Sequence, residues 1–281
     1  MQSAMAEAAL NAQGWPALLR LELRAGADRT RMVPIERYGP MSVQRPFYPE
    51  GEVSHVYLLH PPGGVVGGDR LALCLDLKAR AKALFTTPGA AKFYLSAGDT
   101  AEVRQQFVLA TGAELEYLPQ ENIYFPGAQV NARTTFELEP DSCLMFWEKH
   151  CFGRPANREF FATGRLISQI NLRVAGGLVY TETQRVDAAE LKRSSGLRNH
   201  AVSGSMLIFG SPLASTTLRE LQGLQPKHGV CGLSQPRPGL LIARYLGDST
   251  CALDDCFTGL WETLRPLVMR RAASRPRIWN T

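Results

Sequence analysis

Apolar and polar residues alternate with a period of two along the first two thirds of the chain, a pattern typical of β-strands with one buried face. The segment 71–77 (LALCLDL) places leucines on one side and its smaller or polar residues on the other. The segments 113–118 (AELEYL) and 165–174 (RLISQINLRV) alternate in the same way. This periodicity predicts strands over these segments.

Further segments have strand-like composition and are separated by short clusters of Gly, Pro, Asn or Asp. They are 17–24, 30–36, 53–60, 80–87, 101–110, 133–139, 143–149, 177–184, 203–210 and 239–246. Many short strands with few helices between them exclude a doubly wound α/β fold and favour a sandwich, a barrel or a β-solenoid. No repeat of fixed length is visible, so the pattern alone does not single out a solenoid.

Helical periodicity appears only near the C-terminus. Apolar residues recur at spacings of three and four from Leu253 to Val268, and Ser249 or Thr250 can cap the start of the helix. Pro266 is expected to kink or divide it, because its ring removes a hydrogen-bond donor and crowds the preceding turn. We therefore predict a C-terminal helical segment over 249–271, preceded by a shorter helix at 213–223.

Composition indicates an ordinary globular chain. Of 281 residues, 45% are hydrophobic and 20% charged, and we predict one continuous domain over 1–281 with a flexible N-terminus at 1–14. Apolar runs fall short of the roughly 18 residues that span a bilayer, and the N-terminus lacks a secretory pattern, so we expect a cytoplasmic protein with reduced cysteines. The formal charge is +5, but the arginines are spread along the chain, which argues against a nucleic-acid partner.

The glycine-rich stretch 60–71 (HPPGGVVGGDRL) resembles a phosphate-binding loop in composition but not in sequence. A phosphate loop needs a Lys-Ser/Thr pair that opens a helix, whereas these glycines precede Asp69, Arg70 and a strand pattern. An acidic side chain directed at a phosphate would repel it. We interpret the stretch as a sharp turn between two strands.

Acidic residues interrupt several apolar strand patterns, as Asp76 does in LCLDL, Glu148 in LMFWEKH and Glu182 in VYTET. A buried carboxylate is costly unless it is paired, hydrogen-bonded or hydrated, so each needs a partner or a wet interior. The segments 147–151 (WEKHC) and 251–256 (CALDDC) contain metal-ligating residue types but lack the paired spacing of a closed structural metal site. No nucleophile elbow occurs in the sequence.

Six segments carry a family pattern in order along nearly the whole chain: 43–50 (VQRPFYPE), 57–71 (YLLHPPGGVVGGDRL), 86–94 (TTPGAAKFY), 115–128 (LEYLPQENIYFPGA), 152–155 (FGRP) and 276–281 (PRIWNT). Together they resemble the urease accessory protein UreD (UreH) family. The resemblance implies a mainly β fold, a β-solenoid-like stack of short, largely antiparallel strands with a small helical layer near the C-terminus.

The resemblance also implies a protein without catalysis of its own. It implies a scaffold that binds UreF and, through it, the GTPase UreG, and that docks on apo-urease (UreABC). In that complex nickel, supplied by the metallochaperone UreE, is inserted into the urease metallocentre while UreG hydrolyses GTP. No permanent cofactor is expected, Ni²⁺ is expected only in transit, and neither nucleic acid nor membrane is an expected partner.

Nickel has to cross such a scaffold without being retained. Isolated oxygen ligands along a wet passage lower the cost of desolvating Ni²⁺, whereas a cage of four cysteines or histidines would trap it. We hypothesise that Asp69, Glu148 and Glu182 line this path. His60 is a weaker candidate, which serves either as a scaffold of the turn or as a transient ligand.

A second hypothesis concerns docking. Trp261, Leu264, Leu267, Arg270 and Arg271 are predicted to form part of the UreF-binding surface, because aromatic and arginine anchors are typical of interface hot spots. The alternative is that this helix face only covers the core of the scaffold. Two other functions stay open: a β-rich hydrolase with paired carboxylates in a groove, and a stand-alone nickel-binding protein, against which the scattered ligands argue.

Overall fold

The computed structural model describes residues 14–280, so the predicted flexible segment 1–14 lies outside the described residues except for Gly14. Short 3₁₀ turns cover Pro155–Asn157 and Arg277–Asn280. The helices of the described chain are α1 (Ala188–Lys192), α2 (Ser215–Gly223) and α3 (Thr250–Met269). The strands are β1 (Pro16–Ala25), β2 (Thr30–Tyr38), β3 (Ser42–Val43), β4 (Ser54–Leu59), β5 (Arg70–Leu77), β6 (Lys82–Thr86), β7 (Ala91–Phe93), β8 (Ala101–Leu109), β9 (Glu114–Tyr117), β10 (Asn122–Tyr124), β11 (Gln129–Leu138), β12 (Cys143–Arg154), β13 (Glu159–Phe160), β14 (Arg165–Val174), β15 (Gly177–Val186), β16 (Val202–Phe209), β17 (Val230–Arg237) and β18 (Leu240–Gly247).

The strands form two facing sheets that the chain visits alternately. The first sheet has the order β15-β14-β11-β8-β5-β1-β2, and the second has the order β17-β18-β16-β12-β9-β6-β4-β3. A short ladder of β7, β10 and the second half of β12 closes one side between them. Successive coils therefore stack on one another, which confirms the predicted mainly β, solenoid-like architecture.

Strand direction corrects one part of that prediction. The central strands pair in parallel, as β5 does with β8 and β11 with β14, and antiparallel pairs such as β1 with β2 or β16 with β18 lie towards the ends of the sheets. The reason is the coil itself. Each coil leaves a sheet, crosses to the other and returns in the same direction, so neighbouring strands are one coil apart and parallel.

The alternating pattern buries the faces that the sequence predicts. Leu73, Leu75 and Leu77 of β5 are buried between the sheets, together with Phe107 and Phe136 from neighbouring strands. A second interior cluster lies beside the β7-β10-β12 ladder, and a third lies outside the second sheet, under α3. The interior of the coil stack is thus divided into two apolar clusters.

Helix α3 begins as predicted and ends later than its proline suggests. Ser249 is the N-cap, and its hydroxyl accepts a hydrogen bond from the Ala252 amide at 3.2 Å. The helix continues through Pro266 to Met269 without division. Pro266 lies in the last turn, so the helix loses one backbone hydrogen bond there, and the buried face of the helix holds that turn against the second sheet.

Candidate functional site

Glu148 and Glu182, predicted separately from the sequence, lie in one polar layer between the two sheets. Ser205 of β16 pairs with Glu148 of β12 across the second sheet, and the Ser205 hydroxyl lies 3.5 Å from Oε1 of Glu182 on β15 of the first sheet. The Ser168 hydroxyl of β14 donates to Glu148 at 3.2 to 3.3 Å. Each carboxylate thus contacts one serine hydroxyl, and Ser205, which contacts Glu182, lies in register with Glu148.

His150 extends this layer towards the β7-β10-β12 ladder. Its Nδ1 lies 3.1 Å from the Tyr124 hydroxyl, and its Nε2 lies 3.2 Å from Oε1 of Glu148 without an aligned hydrogen bond, although the atom is fully buried. Burial, followed by the charge of Glu148, holds the pKa of Tyr124 well above its ordinary value. We call Tyr124, Glu148, His150, Ser168, Glu182 and Ser205 the interior polar layer.

Glu182 marks the end of the interior polar layer that is nearest to solvent. Its Oε2 accepts a hydrogen bond from the Tyr180 hydroxyl at 2.6 Å, and Arg244 of β18, a half-exposed side chain, lies 3.1 Å from its Oε1. Burial, and then Glu182, raises the pKa of Tyr180. The layer therefore runs from the buried Glu148 to a carboxylate that a surface arginine neutralises.

Asp69 lies at the start of β5 and holds the glycine-rich turn together. It is 8% exposed, and its two carboxylate oxygens accept hydrogen bonds from the amides of Trp15 at 2.8 Å and Val66 at 3.0 Å. His60 is half-buried nearby. Burial lowers the pKa of His60 and the Asp69 charge raises it in part, so that its pKa lies below the usual value. The turn interpretation of 60–71 is thus supported by specific bonds.

A row of inward-facing but incompletely buried side chains connects the Asp69 end of the stack with Glu148. Leu71, Val103 and Ala132 occupy one level on β5, β8 and β11, and Ser168 is the next residue at that level on β14. Their strands are central and most of their neighbours of the same phase are buried, yet Leu71, Val103 and Ala132 are only half-buried, as is Gln105. Leu71 and Val103 pack against the apolar cluster beside the β7-β10-β12 ladder. We call this row of half-buried residues the interior corridor.

The predicted docking residues separate into two groups. Trp261 and Leu264 are fully buried on the inner face of α3, where the Trp261 indole donates to Oε1 of Glu116 at 2.6 Å. Leu267 is 43% exposed, Arg270 is exposed, and Arg271 is half-buried beside Glu114. Trp261 and Leu264 therefore belong to the core and are not available to a partner. The docking hypothesis stays a prediction for Leu267, Arg270 and Arg271.

A buried ion cluster under α3 was missed from the sequence. Arg265 is fully buried and contacts two carboxylates. Its Nε and Nη2 lie 2.8 to 3.1 Å from Glu116, and its Nη1 and Nη2 lie 2.6 to 2.8 Å from Glu50. Glu50 also lies 2.6 Å from Nε2 of His55. The sequence signal for this cluster was the spacing of Arg265, which lies four residues after Trp261 and three before Val268 on the apolar helix face.

Three members of the interior polar layer were also missed, namely Tyr124, Ser168 and Ser205. Ser168 is an inward residue of β14 between Leu166 and Ile170, and a single hydroxyl on such a face was the available signal. Across residues 14–280, no group of three or more His, Cys, Asp or Glu side chains is arranged to hold a metal ion. No helix in that same range is long and apolar enough to cross a membrane.

Comparison with known proteins gives one consistent result. The family model described as UreD urease accessory protein matches residues 16–280. Similar curated proteins named urease accessory protein UreD include those of Aliivibrio fischeri strain MJ11 (38% identical, 96% of this chain and 98% of the relative), Alcanivorax borkumensis (39%, 96% and 93%) and Pseudomonas putida strain GB-1 (38%, 95% and 95%). The similarity covers nearly the full length of each chain.

Proposed function

The chain belongs to the UreD family of urease accessory proteins, and from that premise we propose that it is a non-catalytic scaffold through which nickel passes to apo-urease. The family assignment supports the general role, urease maturation. In our proposal the chain acts in the cytoplasm in a complex with UreF and the GTPase UreG, and UreE supplies the nickel. The chain itself contributes the passage and the surfaces that hold its partners.

The interior corridor is the observation that carries this proposal. A solid solenoid core would bury Leu71, Val103 and Ala132 completely, because they face inward on central strands. Their partial exposure supports a hydrated passage, and Glu148 and His150 supply metal-ligating atoms at its far end. The His60 and Asp69 turn lies at the near end, three strands or about 14 Å away across the sheet.

The ligands of the interior polar layer suit weak and reversible binding of a cation. Nε2 of His150 and Oε1 of Glu148 are 3.2 Å apart, so one cation with bonds of about 2.1 Å can contact both at roughly a right angle. Two protein ligands with water in the remaining positions hold such a cation more weakly than a four-ligand cage. Glu182 then offers a further oxygen towards the surface, in exchange with Arg244.

The test is nickel loading of apo-urease with all accessory proteins present and Glu148→Gln or Glu182→Gln in this chain. Glutamine keeps the size of the side chain but removes its charge. We expect urease activity and nickel per active site to fall about tenfold for Glu148→Gln, the size of effect that follows loss of one partner in a metal site. Co-purification of the complex is expected to remain unchanged.

Glu139→Gln is the matched control, because Glu139 is exposed and lies just after β11. It should leave nickel loading at the wild-type level. Normal loading by both Glu148→Gln and Glu182→Gln would contradict the proposed passage. Loss of complex assembly in those variants would instead make the two residues structural.

A further inference from the structure

A basic and aromatic cavity lies at the edge where both sheets end. Its volume is about 500 Å³, and Arg29, Arg31, Arg45, Pro46, Phe47 and Tyr48 line it. Arg31 belongs to β2, the edge strand of the first sheet, and Arg45 follows β3, the edge strand of the second. We call these six residues the arginine pocket. Residues 45–48 of the segment 43–50 line this pocket, whereas Glu50 of the same segment points inward and binds Arg265.

The arginine pocket has an excess of positive charge. Arg29 and Arg31 lie 3.4 and 3.6 Å from the carboxylate of Asp28, in exposed pairs that water screens. Arg45 is exposed and has no ion-pair partner within residues 14–280. Three guanidinium groups therefore share one exposed carboxylate. An incoming anion would find donors that are only weakly engaged.

Aromatic groups complete the pocket. The Arg29 guanidinium lies 4.6 Å from the centroid of the Tyr48 ring, and the Phe47 ring packs on Tyr57 at 5.1 Å while remaining 48% exposed. Arginine beside exposed aromatic rings is the composition of protein interface hot spots. Stacking on a ring also fixes the plane of the guanidinium, which favours bidentate contacts.

The backbone around the pocket is fixed on both sides. Phe47 and His55 exchange two hydrogen bonds of 2.9 Å, and the Gln44 amide donates to Tyr57 at 3.0 Å. On the other side the Thr30 amide donates to the Glu52 carbonyl at 2.9 Å. Binding therefore requires little ordering of the chain, which lowers its entropic cost.

The same bonds argue against a phosphate ligand. Phosphate sites use free backbone amides of a glycine-rich loop or a helix N-terminus. Here Pro46 has no amide proton and the Phe47 amide is already bonded to His55. The neighbouring cavity of about 730 Å³ is a poorer anion site, because its Lys82 is already paired with Glu52 and Glu114.

We propose that the arginine pocket binds an acidic segment of a partner protein. Carboxylates of the segment contact Arg29, Arg31 and Arg45, for which planar bidentate pairing is the strongest contact available. An aromatic or large aliphatic side chain of the segment packs on Phe47 and Tyr48. This surface is distinct from the interior corridor, so its loss and the loss of nickel passage are separable.

The probe is a fluorescein-labelled peptide, Glu-Glu-Phe-Glu-Glu, whose binding to the full chain is followed by fluorescence anisotropy at low salt. The triple variant Arg29→Gln, Arg31→Gln and Arg45→Gln should bind it at least tenfold more weakly. Phe47→Ala should weaken binding of this peptide but not of a peptide with alanine in place of phenylalanine. Added salt should weaken binding, because the contacts are charged and partly exposed.

The matched control has the same change in net charge elsewhere. Arg37, Arg104 and Arg133 are exposed on strands of the first sheet and outside the arginine pocket, and their triple replacement by glutamine should change the affinity less than twofold. If both triple variants lost the same peptide affinity, binding would depend only on net charge, and the proposal would be overturned. Absence of binding by the wild-type chain would do the same, as would displacement of the peptide by inorganic phosphate or GTP at equal concentration. Thermal unfolding of each variant confirms that it is folded.

Discussion

At the residue scale, the guanidinium of Arg265 is the charge on which the attachment of α3 depends. Replacing Arg265 with leucine leaves Glu50 and Glu116 buried without their cation. Breaking a buried pair in this way typically lowers the free energy of unfolding by about 3–5 kcal/mol, because an uncompensated charge stays in the interior. Urea denaturation of Arg265→Leu should show a loss of this size.

Arg275 provides the control on the same part of the chain. It pairs with Glu262 on the surface, at 2.5 to 2.8 Å. Arg275→Leu should lower the free energy of unfolding by less than about 1 kcal/mol, as exposed pairs do. Similar losses for both leucine variants would mean that the Arg265 cluster adds no more than a surface pair.

Glu50 makes the stability of the fold depend on pH in the acidic range. Burial raises its pKa, but hydrogen bonds from His55 and Arg265 outweigh burial and lower the pKa from 4.5 to about 2. A carboxyl group with a depressed folded-state pKa stabilises the fold above pH 4.5, and this contribution is lost as the pH falls towards 2. Glu50→Gln should flatten the fall in the urea midpoint over that interval, and parallel profiles for variant and wild type would contradict this assignment.

The sequence singled out two acids that lie in the interior but did not indicate what they contact, and by the same signal it singled out Asp76, which lies on the outer face beside Lys78. Glu148 and Glu182 stand out because each interrupts an apolar strand pattern, and both lie between the sheets. Their contacts with Ser168 and Ser205 depend on which strands face one another across the interior. A single serine gives no sequence pattern that indicates such a contact, so this part of the site could be identified only from the structure.

At the element scale, Gly204 sets how closely α3 approaches the second sheet. A Cβ atom at this position of β16 would lie 2.8 Å from Cδ1 of Leu253 and 2.9 Å from Cε2 of Phe257, both fully buried. Gly204→Ala should therefore lower the free energy of unfolding by about 1–3 kcal/mol, the usual cost of overpacking.

Gly259 of α3 is the opposite case. Nothing lies within 4 Å of a Cβ atom built there, and the position is exposed inside the helix. Gly259→Ala should raise the free energy of unfolding by up to about 1 kcal/mol, because alanine has the better helix propensity. If thermal unfolding moved both alanine variants in the same direction, packing against Gly204 would not control the helix position.

Elements with a strong period were predictable, and elements without one were not. β14 has the bounds predicted from its alternating residues, because one of its faces is buried along its whole length. β17 was missed because Gly232 and Pro236 interrupt its pattern, and β7 and β10 are too short to show a period. Alternation reveals which face is buried but not which strand lies alongside, so the parallel pairing of the central strands was not predictable.

At the scale of the whole molecule, the coil stack places two parts of the candidate site at the two ends of the interior corridor. The Asp69 turn belongs to the structure of one end, since both of its oxygens hold backbone amides. The Glu148 and His150 pair, with its unbonded buried nitrogen, lies at the other end. The interior corridor joins them only because the register of β5, β8, β11 and β14 aligns their half-buried residues. Under the proposed function, passage of nickel therefore depends on the width of the stack as well as on its ligands.

Blocking the interior corridor without changing charge tests this dependence. Ala132 faces inward at its middle, and Ala132→Phe would fill the space between the sheets. We expect nickel loading of urease to fall while the partners still assemble, because the outer surfaces are unchanged. Ala132→Val should give an intermediate loss, which separates gradual narrowing from unfolding of the chain.

The adjacent residue provides the control, because successive side chains of a strand point to opposite faces. Arg133 is exposed on the outside of the same strand, and Arg133→Phe adds an aromatic ring there without entering the interior. It should leave nickel per active site unchanged. Full nickel loading by a folded Ala132→Phe variant would show that nickel takes another route, and the acids of the interior polar layer would then be read as structural partners of Ser168, Ser205 and Arg244.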